Sequence, residues 1–195
     1  MQKNIVLASS SKYRQQILKK LHIPFSCQSP QIDETPKDGE TAEQLVERLA
    51  IAKAQALASS FPCHLIIGSD QVCTLDGNIV GKPHSATVAR QQLIRASGKT
   101  IRFVTGLALY DSETGSVSSL VEPFDVSFRT LDEAIIERYL AVEKPFDCAG
   151  SFKSEGAGIV LFDALYGRDP NTLVGLPLIA LYQLLEAQGI ELLTE

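Results

Sequence analysis

The chain of 195 residues is 45% hydrophobic and 21% charged, the balance of a soluble globular protein long enough to bury a core without disulfides or a structural metal. Its formal net charge of -5 argues against a broad basic surface for wrapping nucleic acid, while leaving room for a small basic pocket that takes one polyphosphate. No apolar run has the length of a membrane span or of a secretory core, so no membrane association and a cytoplasmic location are expected.

The first segment, Lys3 to Ala8, reads as a buried strand. It ends in Ser9-Ser10-Ser11, and a helix follows with Ile17, Leu18 and Leu21 on one face. Phe25 to Ser29 reads as a second strand, followed by a polar loop with Pro30, Pro36 and Gly39. A long helix is predicted from about Ala42 to Ser60, opened by a capping box of Thr41 and Gln44 and stopped by Pro62. Leu65 to Ile67 is a short interior strand, with Gly68-Ser69-Asp70-Gln71 at its end. Val72 to Leu75 and Asn78 to Val80 form a hairpin, because Asp76-Gly77 favours a tight primed turn.

Gly81-Lys82-Pro83 breaks the chain before a helix from about Ala86 to Ala96. Two long strands, about Thr100 to Tyr110 and Val117 to Arg129, meet at the Glu113-Thr114-Gly115 turn. Thr130 and Glu133 have the spacing of a second capping box, which opens a helix to about Val142. Ala149 to Gly158 is a loop of small residues, Ile159 to Phe162 a strand, and Pro177 the first turn of a last helix to about Ala187. No repeat, low-complexity stretch or linker is present, so residues 1–195 read as a single domain. Helices alternate with strands through both hairpins and crossovers, which predicts an α/β fold with a mixed, twisted sheet flanked by helices.

Cys27, Cys63, Cys73 and Cys148 form no C-x-x-C pair and read as reduced, buried thiols. His22, His64 and His84 lack metal-ligand spacing.

Five places carry candidate chemistry. At Ser9-Ser10-Ser11, the turn into a helix suits a phosphate, and Arg14 adds a charged fork; a plain serine cap and a surface arginine explain the same residues. Asp70, at the end of an interior strand, has the place and chemistry to hold a divalent metal or take a proton from water, or else simply to close a turn. Asp33 and Glu34 are either hard oxygen ligands for magnesium or a solvated acidic loop. Lys53 is a charge in an apolar helical stretch that either meets an anion or snorkels to solvent. Lys82, in a rigid loop, is placed to offer a point charge to phosphate. Together, Arg14, Lys53 and Lys82 with Glu34 and Asp70 make an inventory for attack at phosphorus, where catalysis is mostly positioning and charge neutralisation. No G-x-x-x-x-G-K motif is present, and no nucleophile-histidine pair stands out.

The order of these segments resembles the Maf-like nucleotide pyrophosphatase family along nearly the whole chain. The resemblance rests on Leu7 to Ser11 with Arg14, Asp33-Glu34-Thr35, Lys53 between two alanines, and Gly68-Ser69-Asp70-Gln71-Val72. It continues in Gly81-Lys82-Pro83, Thr105-Gly106, Ala149-Gly150-Ser151-Phe152 and Val174-Gly175-Leu176-Pro177. The resemblance implies a Maf/Ham1-like fold of two lobes with a central cleft. It also implies release of pyrophosphate from a nucleoside triphosphate with magnesium or manganese, and it admits a homodimer. By this likeness Ser9, Ser10, Arg14, Lys53 and Lys82 hold phosphates, Glu34 and Asp70 hold metal, and Asp70 is the proton acceptor.

Within the family the chain is similar to the YceF-type branch, which acts on 7-methyl-GTP, at Tyr13, Gln71 and Glu155. The sister branch acts on dTTP and UTP and typically has arginine, threonine and glutamine there. Many members of the first branch have tryptophan in place of Tyr13. An aromatic face suits the cationic methylated base, and a carboxylate suits the guanine edge. A rival of another class is a non-catalytic nucleotide-binding regulator, suggested by the family's link to septum formation.

Overall fold

The computed structural model describes residues 3–192. Among them are seven strands: β1 (Asn4–Leu7), β2 (Phe25–Cys27), β3 (His64–Leu75), β4 (Asn78–Val80), β5 (Thr100–Asp111), β6 (Val117–Phe128) and β7 (Phe162–Tyr166). The helices are α1 (Lys12–Leu18), α2 (Ala42–Gln55), α3 (Ala86–Ala96), α4 (Glu133–Glu143) and α5 (Leu178–Ala187). The strands form one mixed sheet in the order β2-β1-β3-β5-β6-β7, with β4 paired to β3. β1 runs parallel to both β2 and β3, while β4 is antiparallel to β3 and β7 to β6.

The chain divides into two compact units, and β3, β5 and β6 each supply residues to both. The first comprises residues 3–71, 105–122 and 169–192 of the described chain. Its sheet obeys the two-residue period of strands. Ile5, Leu7, Leu65, Ile67, Leu107 and Leu109 pack with Ile17 and Leu18 of α1 and with Leu181 and Leu185 of α5. The alternate residues Val6, Ala8 and Ile66 pack with Ala54 of α2 and with Leu57. Helices therefore cover both faces of the parallel strands, α1 and α5 on one and α2 on the other.

The approach of α2 is close. A Cβ on Gly68 would lie 2.0 Å from the carbonyl oxygen of Ala50, and one on Gly106 would lie 2.1 Å from that of Val46. Only glycine lets β3 and β5 meet the backbone of α2 at these points.

In the second unit, residues 72–104 and 123–168, α3 packs on α4. Four rings form its aromatic centre: Phe152 lies 5.4 Å from Phe103, 5.6 Å from Phe128 and 4.8 Å from Phe162, all edge to face. The β3–β4 hairpin has the positive φ pair of a primed turn, +53° at Asp76 and +78° at Gly77. The Thr41–Gln44 capping box forms reciprocally, as its spacing predicts.

Several expectations need correction. β3 does not stop at Ile67 but runs unbroken to Leu75, because Gly68 makes room for α2 rather than breaking the strand. Asp70 is therefore an interior strand residue and not a turn residue. The expected box at Thr130 does not form: α4 starts at Glu133, and Asp132 caps it by accepting from the amide of Ile135 at 2.7 Å. The predicted strand from Ile159 is mostly a 3-10 turn over Ala157–Leu161, and the strand starts at Phe162. The amide of Phe162 donates to the carbonyl of Ile159, a bond that closes a turn and that an extended strand cannot make. The long helix ends at Gln55 and unwinds into turns, and Pro177 is the N-cap of α5 instead of its first residue. Of the four thiols only Cys73 is buried; Cys27 and Cys63 are exposed. Burial pushes the Cys73 thiol up to about 12.

Candidate active site

The strand order β2-β1-β3 contains a reversal. From β1 the chain crosses by α1 to β2, then returns by α2 to β3 on the other side of β1. The two crossovers lie on opposite faces, and open α/β sheets bind ligands at such a reversal, by the carboxyl ends of the strands that flank it, here β1 and β3. β1 ends at Leu7, paired with Ile67, whereas β3 continues. Residues 8–14 and 68–71 lie at this point of the first unit.

Alternation along β3 then divides the chemistry. Ile66, Gly68 and Asp70 share the α2 face; Ile67, Ser69 and Gln71 share the other. On the α2 face the ammonium of Lys53 donates to Asp70 Oδ1 at 2.6 Å and pairs with Glu34 Oε1 at 2.9 Å. Lys53 and Asp70 are only 7% and 8% exposed, so Lys53 does not snorkel, whereas the Glu34 side chain is 59% exposed. The cation is thus clamped between one buried and one solvated carboxylate. Neighbouring Asp33 accepts from the amide of Thr35 at 2.9 Å, and hydrogen bonds from the Thr35 side chain and backbone hold its pKa below the usual range.

Ser9, Ser10 and Arg14 lie where the sequence places them. Ser11 caps α1 by accepting from the amide of Arg14 at 3.4 Å, and the buried Ser9 accepts from the amide of Ser11 at 3.1 Å. Ser10 is exposed and Tyr13 half-buried on α1. Arg14 Nε donates to the carbonyl of Gly175 at 2.8 Å, and the hydroxyl of Ser69 donates to the same oxygen at 2.9 Å. Burial lowers the pKa of Arg14, and the charges of Asp70 and Glu34 oppose that shift. A guanidinium stays charged regardless.

Gln71 is also held. Its Nε2 donates to Thr105 Oγ1 at 2.8 Å and to the carbonyl of Thr172 at 2.7 Å. Thr105 and Thr172 are fully buried, and the Thr172 hydroxyl has no partner among the described residues. The 3-10 turn Pro170–Val174 presents these carbonyls and ends in Gly175, whose φ of +99° only glycine adopts without strain. Ser69, Thr105, Thr172 and Gly175 are the site residues that residue-by-residue reasoning misses. Three of them fall inside the short segments that carry the family resemblance, but nothing in their spacing says that they bond Arg14 or Gln71.

Lys82 and Glu155 belong to the second unit, and both are exposed. The loop that carries Glu155 is pinned on each side. The amide of Lys153 donates to Tyr139 Oη at 2.9 Å, its ammonium to the carbonyl of Glu143 at 2.8 Å, and the amide of Ala157 to Glu143 Oε1 at 2.6 Å. Glu155 itself accepts from the hydroxyl of Ser154 at 3.2 Å.

Among the described residues no group of three or more His, Cys, Asp or Glu side chains could enclose a metal. Glu34 and Asp70 are two hard oxygen donors whose remaining atoms, Oε2 and Oδ2, are the ones to offer. That set fits a divalent cation held jointly with substrate phosphates, as magnesium commonly is, and does not fit a protein-only cage. Among the described residues no helix is long and apolar enough to cross a membrane.

The sequence profile of the Maf-like protein family matches residues 4–188. Two solved structures are similar over part of the chain. The Ham1 protein of Staphylococcus aureus is 18% identical, with 65% of this chain and 72% of that one covered and a TM-score of 0.45. A HAM1 protein from Coxiella burnetii is 22% identical, with 65% and 73% covered and a TM-score of 0.47. Likeness this slight decides nothing by itself, whereas the family match spans nearly every residue. The chain belongs to the Maf-like family, whose members are nucleoside triphosphate pyrophosphatases.

Proposed function

We propose that this enzyme hydrolyses 7-methyl-GTP to 7-methyl-GMP and pyrophosphate, at a site centred on Asp70. The observation that carries the proposal is the buried Lys53–Asp70 pair, extended to Glu34. A strand-interior aspartate fixed through one oxygen by an ammonium has its other oxygen directed by the same bond, as a positioned base requires. Water attacks the α-phosphorus and gives its proton to Asp70. The bond from that phosphorus to the bridging oxygen breaks, and pyrophosphate leaves with the oxygen. Ser9, Ser10, Arg14, Lys53 and Lys82 bind and neutralise the triphosphate. Glu34 and Asp70 would hold magnesium or manganese, which when bound would supply charge neutralisation at the developing pyrophosphate.

The base preference rests on Tyr13, Gln71 and Glu155. The ring of Tyr13 attracts a flat cationic base, and the Glu155 carboxylate accepts from guanine N–H groups while offsetting the charge. Steady-state kinetics on 7-methyl-GTP, GTP, dTTP and UTP, with each metal and with chelator, test the reading. The expected result is the highest kcat/KM for 7-methyl-GTP and no pyrophosphate release in chelator. A preference for dTTP or UTP overturns the substrate, and release that persists in chelator overturns the metal.

A further inference from the structure

We infer that Thr105 is a positioning residue that, with the Thr172 carbonyl, fixes Gln71 as a hydrogen-bond acceptor, so that the site selects a nucleotide presenting a donor to it. The inference rests on the reading above that Gln71 touches the substrate.

An amide side chain offers a donor end and an acceptor end, and its orientation is decided by its fixed neighbours. Here the neighbour at 2.7 Å is the peptide carbonyl of Thr172, which can only accept. Turned end for end, Gln71 would set Oε1 against that oxygen, exchanging a hydrogen bond for repulsion. Thr105 reinforces the choice. Its hydroxyl donates to the same carbonyl at 3.3 Å and so faces Gln71 with lone pairs, accepting from Nε2 at 2.8 Å. Thr105 is 0% exposed, so water has no route to replace it. Both hydrogens of the Gln71 amide are spent on protein, and Oε1 is the function left to offer.

The surroundings of that oxygen are defined by what Gly175 lacks. A Cβ at Gly175 would lie 3.6 Å from Gln71 Oε1, and 3.2 Å and 3.4 Å from the Nε and Nη2 atoms of Arg14. An acceptor and a guanidinium therefore lie side by side against the backbone of Gly175. A ligand that reaches both meets a cation suited to phosphate and, beside it, an acceptor suited to an N–H or O–H. Both the exocyclic amine of guanine and a ribose hydroxyl are donors of this kind.

The test compares wild type with Thr105→Val, which keeps the shape and removes the hydroxyl, and Thr105→Ser, which restores it. Substrates are 7-methyl-GTP, 7-methyl-ITP, which lacks the amine, and the 2′- and 3′-deoxy forms of 7-methyl-GTP. Wild type should lose about tenfold in kcat/KM, mainly through KM, on one donor-less analogue. Thr105→Val should shrink that ratio towards one, and Thr105→Ser should keep it. Gln71→Met, which removes the acceptor without touching the buried threonine, should also abolish it and covers the case in which Thr105→Val does not fold. Equal treatment of all analogues by wild type overturns the inference, as does a uniform loss on every substrate in Thr105→Val. If the nucleotide panel moves the preference to dTTP, the substrate reading alone falls. The same variants are then compared on dTTP, N3-methyl-dTTP and 3′-deoxy-dTTP. A selective loss on one analogue that Thr105→Val erases supports the positioning role there too, and equal treatment by wild type overturns it.

Discussion

Replacing Gly68 with alanine tests whether the fold and the site depend on one close approach. The added Cβ would sit 2.0 Å from Ala50 O and 2.9 Å from Ala54 N, whereas ordinary contact begins at 3.4 Å. Both opposing atoms belong to the backbone of α2, so no side-chain rotation relieves the clash. The helix must retreat by about 1.4 Å at this point. Lys53 stands on the same turn, and its 2.6 Å bond to Asp70 would stretch to about 4 Å, beyond hydrogen-bond reach. Overpacking of this kind costs about 1–3 kcal/mol. For a chain of this size that is a fall in Tm of roughly 3–10 °C. A displacement on the order of 1 Å in a catalytic array costs about a hundredfold in turnover. Calorimetry and a pyrophosphate-release assay on purified Gly68→Ala read both quantities. Wild-type Tm together with wild-type turnover would refute the placement of α2 on β3 and the dependence of Asp70 on Lys53.

Three further outcomes follow from particular contacts. Thr172→Val removes a buried hydroxyl that has no partner among the described residues, so stability should hold or rise by up to about 1 kcal/mol in denaturant titration; a clear loss would mean that the hydroxyl is bonded. Glu40 accepts from Arg48 Nε and Nη2 at 2.5 and 2.7 Å, and this pairing holds its carboxyl at about 2 against an ordinary 4.5. The folded chain thus binds fewer protons than the unfolded one between those values. The contribution of Glu40 is present above pH 4.5 and lost towards pH 2, so the Tm gap between wild type and Glu40→Gln should close across that window. A gap unchanged down to about pH 2.5 contradicts it. Finally, a thiol reagent at about pH 8 should titrate exposed Cys63 and Cys27 first, with Cys27 the slower because burial raises its pKa. Cys73, buried, should react only on unfolding, and half-buried Cys148, its thiol likewise pushed up to about 12, should react far more slowly than the exposed pair; a fast phase that survives Cys27→Ser/Cys63→Ser would be inconsistent with this order.

Elements whose signal is local are legible in the sequence. The Thr41–Gln44 box and the Asp76-Gly77 turn each depend on residues a few positions apart, and each is present. Signals that depend on a distant partner mislead. Gly68 reads as a strand breaker until Ala50 is seen against it, and so Asp70 reads as a turn residue. Thr130 has box spacing with Glu133, but Asp132 is nearer the first helical turn and takes the cap. The candidate charges are legible as an inventory, and the structure brings Glu34, Lys53 and Asp70 into direct contact. Their pairing is not legible, because Lys53 in its helix looks the same whether it reaches solvent or a carboxylate. The holders of Gln71 and Arg14 are hidden for the same reason: they are backbone carbonyls of residues 172 and 175, and a carbonyl has no sequence signature.

The most direct test of the central claim is turnover of 7-methyl-GTP by Asp70→Asn, which keeps shape and burial while removing the base. With magnesium at saturation and folding verified by Tm, wild type should release 7-methyl-GMP and pyrophosphate in equal amounts. The variant should lose about a hundredfold or more in kcat, the scale of a general base. Asp70→Asn turning over at the wild-type rate would contradict the account.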